Sequence, residues 1–203
     1  MVYAQKGELR VKKRKIPNVL TEEEQKKLLE VLNTRYTFSQ WNKVMIKLML
    51  NSGLRLFELI NLTWKDVNLQ TGRLKVISGK GDKDRLLWIN DSTLDTLREW
   101  RNRQSEELGD IKLVFTTRTG NKIKIRPGDI RKMVYTYSRK TGITDKKISP
   151  HTFRHNFATD LLRETKNLRL VQKALGHSNI SINQIYTHIV DEELENALKK
   201  FKT

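Results

Sequence analysis

The sequence predicts a mainly α domain with one small antiparallel sheet, an α+β arrangement. Apolar residues recur at helical spacing behind capping signals over most of the chain, and the period changes to short β-prone runs only between Val67 and Ile89. Glycine or proline stands at several of the joins.

Thr21 to Glu24 reads Thr-Glu-Glu-Glu, a capping box in which the Thr21 hydroxyl accepts from the Glu24 amide and the Glu24 carboxylate reaches back. A first helix follows to about Leu32. Ser39 is placed to cap a second, in which Val44 and Leu48, and Met45 and Met49, recur at helical spacing before Gly53 ends it. These side chains are core. Next comes Ser52-Gly53-Leu54-Arg55-Leu56-Phe57-Glu58-Leu59, where glycine breaks one helix and another starts at once. Arg55 therefore falls at a helix start, beside backbone amides that favour anions, and Glu58 lies on the same face, placed to hold its guanidinium. Alone, an arginine there is usually a surface or salt-bridge residue.

The runs Arg73-Leu74-Lys75-Val76-Ile77 and Arg85-Leu86-Leu87-Trp88-Ile89, with turn signals at Gln70-Thr71-Gly72 and Ser78-Gly79-Lys80-Gly81-Asp82, predict the sheet. Lys80 projects from its glycine-flanked hairpin. Gly-Lys-Gly is too short for a phosphate-cradling loop of the Gly-x-x-x-x-Gly-Lys-Ser/Thr kind, which disfavours nucleotide binding.

Asp91 or Ser92 opens a helix to about Leu108 with Leu94, Leu97 and Trp100 on one face. Val114-Phe115 is a short apolar segment before the Thr119-Gly120-Asn121 turn. Pro127 and Asp129 begin a helix to about Thr141, ended by Gly142. It carries Arg131, Lys132, Arg139 and Lys140 with Tyr135 and Tyr137 between them, so it either lies along a DNA backbone or is simply solvated. Pro150 suits the first turn of the next helix and puts His151, Arg154 and His155 on or near one face. A zinc protease would need Glu where Thr152 stands, so metal ligation is disfavoured and no metal is expected. His155 reads as packed behind the site, whereas His151 sits at an exposed helix start.

A short helix from Leu168 to Leu175 stops at Gly176 and leaves His177 on the turn. Ser178, Asn179 and Ser181 supply caps for a helix running into Tyr186. Asp191 to Phe201 reads as a terminal helix, acidic first and lysine-rich last, with Leu194, Ala197, Leu198 and Phe201 as its apolar stripe. That stripe suits packing on its own domain or docking on a partner.

Composition narrows the partner. Among 203 residues, 40 are Lys or Arg and 23 Asp or Glu, a net charge of +17 that calls for a polyanion. Nucleic acid comes first, although ribosomal and membrane-surface proteins are equally basic. Residues 1–19 hold Lys12, Lys13, Arg14 and Lys15 without helical or strand period, and read as a linker or arm, either solvated or touching phosphates. The absence of cysteine excludes disulfides and thiolate catalysis. No apolar run approaches the roughly 18 residues of a membrane span, which places the chain in the cytoplasm.

From His151 to Tyr186 the chain gathers two candidate proton-transfer groups, an arginine and a tyrosine, the parts for nucleophilic attack on a phosphodiester. A phenol titrates near a pKa of about 10, so Tyr186 needs cationic neighbours. Arg55, Lys80, Arg154 and the histidines would supply them.

With Ser-Gly-Leu-Arg-Leu-Phe-Glu-Leu, Gly-Lys-Gly, His-Thr-Phe-Arg-His, Leu-Gly-His and the late tyrosine in this order, the chain resembles the catalytic domain of tyrosine recombinases, the phage integrase and Xer family. The resemblance covers about residues 18 to 200. It implies a mostly helical domain with a three-stranded sheet and a reaction through transient covalent attachment to double-stranded DNA, with no cofactor. By motif position it makes Tyr186 the nucleophile, which becomes a 3′-phosphotyrosine and releases a 5′-hydroxyl. Arg55 and Arg154, steadied by Glu58, would clamp the non-bridging oxygens, Lys80 would be the general acid, His151 would assist proton transfer and His177 would hydrogen-bond the phosphate. It further implies self-association on DNA, dimer to tetramer, through the C-terminal helix.

Two departures stand out. Family members usually carry an N-terminal helical core-binding domain, and only the basic arm precedes residue 20 here, so that domain is expected to be absent. Phe57 stands where a small residue is common and is expected to alter packing more than chemistry. A type IB topoisomerase, or a DNA-binding accessory protein with little cleavage activity, are the rival readings.

Overall fold

The computed structural model describes residues 19–77, 84–117 and 125–176. The basic run 12–15, Lys80, His177, Tyr186 and the expected terminal helix 191–201 lie outside the described residues. Within them the order is α1 (Glu22–Glu30), α2 (Thr37–Ser52), α3 (Leu56–Asn61), a 3₁₀ turn (Trp64–Asp66), β1 (Arg73–Val76), β2 (Arg85–Trp88), α4 (Asp91–Leu108), α5 (Pro127–Lys140), α6 (Pro150–Thr165) and α7 (Leu168–Leu175).

Helix α2 is the axis of the core. Val44, Met45, Ile46, Leu48 and Met49 are all buried, because α4, α6 and α1 pack around it. Its start differs from expectation: it begins at Thr37 behind Tyr36, which makes no side-chain cap bond, and Ser39 already lies inside the helix. Helix α4 opens at Asp91 and closes at Leu108 as expected, and is capped by Asn90, whose side chain accepts from the Thr93 amide at 3.0 Å. The Asn90 carboxamide also donates to Asn51 on α2, which fixes it as the cap. Thr21 forms the expected capping box, accepting from Glu24 N at 3.2 Å while Glu24 accepts from Thr21 N at 2.7 Å.

Among the described residues the sheet has two antiparallel strands, paired Arg73 with Trp88 through Val76 with Arg85. The expected third strand is reduced to one bridge, Val67 with Leu74. The cause is local. Val67 closes the 3₁₀ turn, and Asn68 at once turns the chain by accepting from the amides of Gln70 and Thr71, so no length remains for a strand. Leu74, Val76, Arg85 and Leu87 face inward and Arg73, Lys75, Leu86 and Trp88 outward, the two-residue period of a half-buried sheet.

Trp100 donates its indole N–H to the Val114 carbonyl at 2.9 Å, and the fully buried Gln104 accepts from Trp64 and donates to Val114. These bonds seat the Val114-Phe115 segment against α4. No helix among the described residues is long and apolar enough to cross a membrane.

Asn156 on α6 is fully buried and pairs with both backbone groups of Leu20, accepting from its N–H at 3.0 Å and donating to its carbonyl at 2.7 Å. It thereby anchors the entry to α1. Asn156→Ala leaves the buried Leu20 N–H unpaired and its carbonyl with only the longer bond from Gln25 Nε2 at 3.4 Å, and is expected to cost about 1–3 kcal/mol. Urea denaturation should show a lower midpoint at an unchanged slope.

Candidate active site

Helix α2 ends at Gly53, in left-handed backbone with φ 59°. A Cβ there would lie 2.3 Å from Cδ1 of Phe157 on α6, so glycine is required by conformation and by space together. The turn delivers Arg55 as the residue that caps α3. Glu58 then accepts from the Arg55 amide at 2.7 Å and from its Nη1 at 3.2 Å. The Arg55 amide itself is thereby taken by Glu58. The Arg55 side chain is 30% exposed, so it faces solvent while its base is held. Phe57 is 65% exposed, which corrects the expectation that it alters packing: its ring lies at the surface.

Arg154 comes from α6, whose first turn is set by Pro150. It is buried, and its two terminal nitrogens donate to the carbonyls of Gly53 and, at 2.7 Å, of Leu175. One guanidinium thus ties the end of α2 to the end of α7. His151 is exposed at the start of α6, three residues before Arg154. His155 is half-buried, and burial, with repulsion from His151 and Arg154, pushes its imidazole below the ordinary 6.5. It is therefore mainly neutral at pH 7.

The sequence reading missed Arg85. Its side chain is only 5% exposed, and its fork meets both carboxylate oxygens of Glu58, Nη1 to Oε1 and Nη2 to Oε2, each at 2.8 Å. Its Nε donates to the Ala174 carbonyl at 2.8 Å. A signal was present: Arg85 shares the strand phase of Leu87 and Ile89, both buried. Burial pushes the Glu58 carboxyl up. The hydrogen bonds from Arg85 and from the Arg55 amide, with the charges of Arg85 and Arg154, outweigh it and hold the carboxyl below 4.5. Glu58 is ionised at neutral pH.

Structure thus brings Arg55, Glu58 and Arg154 to one place, the Gly53 turn. Helix α5 packs against both α3 and α6, and its Arg131, Lys132, Arg139 and Lys140 are exposed beside them. Tyr135 is exposed with them, but Tyr137 is not a surface residue of that helix. It is half-buried and its hydroxyl accepts from Asn42 on α2, with Lys140 over its ring at 5.3 Å. Guanidiniums held in place in this way are suited in kind to a phosphate-type anion, since each can offer paired charged donors to its oxygens.

Among the described residues, then, a mainly helical domain with a two-stranded sheet gathers Arg55 and Arg85 on one buried carboxylate. The chain belongs to the phage integrase family, whose model matches residues 18–193. Tyrosine recombinase XerA of Pyrococcus furiosus is 35% identical over 185 residues, covering 91% of this chain and 62% of that protein. Tyrosine recombinase XerC of Vibrio cholerae is 36% identical over 179 residues, covering 88% and 56%. This chain therefore spans less than two thirds of the length of either relative. The crystal structure of XerA recombinase superposes with a TM-score of 0.78 at 30% identity, covering 94% of this chain and 67% of that one. XerH site-specific recombinase bound to palindromic difH substrate, a post-cleavage complex, gives 0.76 at 30% identity, covering 93% and 54%. The mainly α fold with a small sheet read from the sequence is the fold of these recombinases.

Removing the Glu58 charge leaves a buried guanidinium without its counter-ion, and Glu58→Gln is expected to cost about 3–5 kcal/mol. Because the folded carboxyl titrates below 4.5, its contribution is complete above that pH and is lost as pH falls through the folded value. The stability gap between wild type and Glu58→Gln, measured by denaturation across a pH series, should be flat above 4.5 and narrow only below it.

Proposed function

We propose that this chain is the catalytic part of a site-specific DNA recombinase, which cleaves and rejoins strands of double-stranded DNA through a 3′-phosphotyrosine. The observation that carries the reading is the meeting of Arg55 and Arg154 at the Gly53 turn, on a shared scaffold with ionised Glu58. Arg55 and Arg154 hold the two non-bridging oxygens of the scissile phosphate and offset the charge that builds there. The Tyr186 oxygen attacks phosphorus and gives up its proton, with His151 assisting. The P–O bond to the 5′ oxygen breaks, and Lys80 supplies the proton that makes it a hydroxyl. His177 hydrogen-bonds the phosphate throughout.

The covalent intermediate keeps the phosphodiester's energy, so a 5′-hydroxyl from either the same or a partner strand restores the bond without ATP, metal or other cofactor. Residues 20–203 act as the catalytic domain. Lys12, Lys13, Arg14 and Lys15 on the arm, with Arg131, Lys132, Arg139 and Lys140 on α5, contact DNA phosphates. Helix 191–201 docks on a neighbouring protomer and assembles dimers to tetramers on DNA. The protein works in the cytoplasm and serves recombination or integration of a mobile element.

The test is a covalent trap. With nicked and supercoiled plasmid DNA, a detergent quench and mass spectrometry, wild type should carry nucleotides on Tyr186. Tyr186→Phe should carry none while binding DNA as wild type does. A Phe variant that still forms a covalent adduct would contradict the assignment.

A further inference from the structure

Arg85 is a buried cation that no step above uses. Burying a guanidinium is costly unless it is fully paired, and here the partners lie on α3, which Arg55 caps, and in the last turn of α7, which Arg154 also meets. Its fork takes both oxygens of Glu58, the residue that also holds Arg55. Its Nε takes the carbonyl of Ala174, in the last turn of α7. The same turn receives Arg154 on Leu175, so two arginines satisfy carbonyls that the helix end leaves open, where its dipole favours cations. The next residue, Gly176, has φ 67° and packs directly on Arg85: a Cβ there would lie 3.0 Å from Arg85 Cδ and 3.2 Å from Nη1. His177 follows Gly176 in sequence. Arg85 itself opens the strand that returns from the Gly-Lys-Gly segment bearing Lys80.

We propose that Arg85 is a positioning residue for strand cleavage, a clasp that fixes the Arg55 turn, the end of α7 at Gly176 and strand β2 against one another. The role rests on the strand-cleavage reading and adds a residue to it. It depends on the shape of the guanidinium as well as its charge. A lysine keeps the charge but offers one point donor, and cannot span Glu58 and Ala174 together.

Arg85→Lys is therefore the informative variant. With the plasmid DNA of the trap, its rate of covalent adduct formation should fall about 10²-fold, as for a misplacement of about 1 Å in reacting groups, while the DNA concentration giving half the maximal rate is unchanged. Without DNA, amide hydrogen exchange should run about tenfold faster at both Gly176 and Leu59, whose amides donate to the Lys173 and Arg55 carbonyls. Gly176→Ala presses on the same guanidinium from the other side. It should lower the adduct rate too, and gives the reading if Arg85→Lys does not fold. A variant that melts at lower temperature yet forms adduct at the wild-type rate would overturn the role, leaving Arg85 as a structural residue only. Unchanged exchange at Gly176 and Leu59 in Arg85→Lys would overturn it whether or not DNA is cleaved. A wild-type chain without an adduct would instead overturn the strand-cleavage reading, and this role with it.

Discussion

The Glu58 carboxylate accepts from the Arg55 amide, the Arg55 guanidinium and both terminal nitrogens of Arg85. An ionised carboxylate in a buried site loses its hydration, and only charge-assisted hydrogen bonds of good geometry restore what was lost. Here four contacts between 2.7 and 3.2 Å do so, and the carboxyl stays below 4.5 despite its burial. The consequence is structural as much as electrostatic. The turn after α2 and strand β2 are fixed to the same two oxygens, so neither shifts without exposing a charge to an apolar interior.

Around this pair, two glycines set how closely the elements approach. Gly53 ends α2 against Phe157, and Gly176 ends α7 against Arg85, each in left-handed backbone. Arg154 spans the two ends, donating to Gly53 and Leu175. The Arg154 guanidinium is therefore held by main chain, which is fixed by helix geometry, while those of Arg55 and Arg85 are held by the Glu58 carboxylate, with Arg85 also tied to the Ala174 carbonyl. That is the kind of pre-set cation array that phosphoryl transfer rewards, since positioning and charge stabilisation supply most of its acceleration.

Much of this was legible in the residues. Thr21 with Glu24, Pro150 and Gly176 mark helix ends by local chemistry, and a cap or a left-handed turn depends on a few neighbouring residues. The pairing of Arg55 with Glu58 was legible for the same reason, being one helical turn long. Arg85 was not. Its phase with Leu87 and Ile89 marks it as inward, but its partners lie 27 and 89 residues away in sequence, and periodicity says nothing of distant partners. Nor was the seat of Tyr137 legible: cations flank it in sequence, and its hydroxyl accepts from Asn42, 95 residues away. Among the described residues no third strand extends past the Val67–Leu74 bridge, because Asn68 turns the chain there, a side-chain effect that outweighs strand propensity over so short a run.

Glu58 and Arg85 act as one unit that holds the site elements together. A double-mutant cycle on folding stability tests it, comparing Glu58→Gln, Arg85→Met and the pair of changes by chemical denaturation. Each single change is expected to be strongly destabilising, and the double change to cost at least ~2 kcal/mol less than the sum, since the second removal strands no new charge. Additivity within ~0.5 kcal/mol would mean the two residues act independently, and would contradict it.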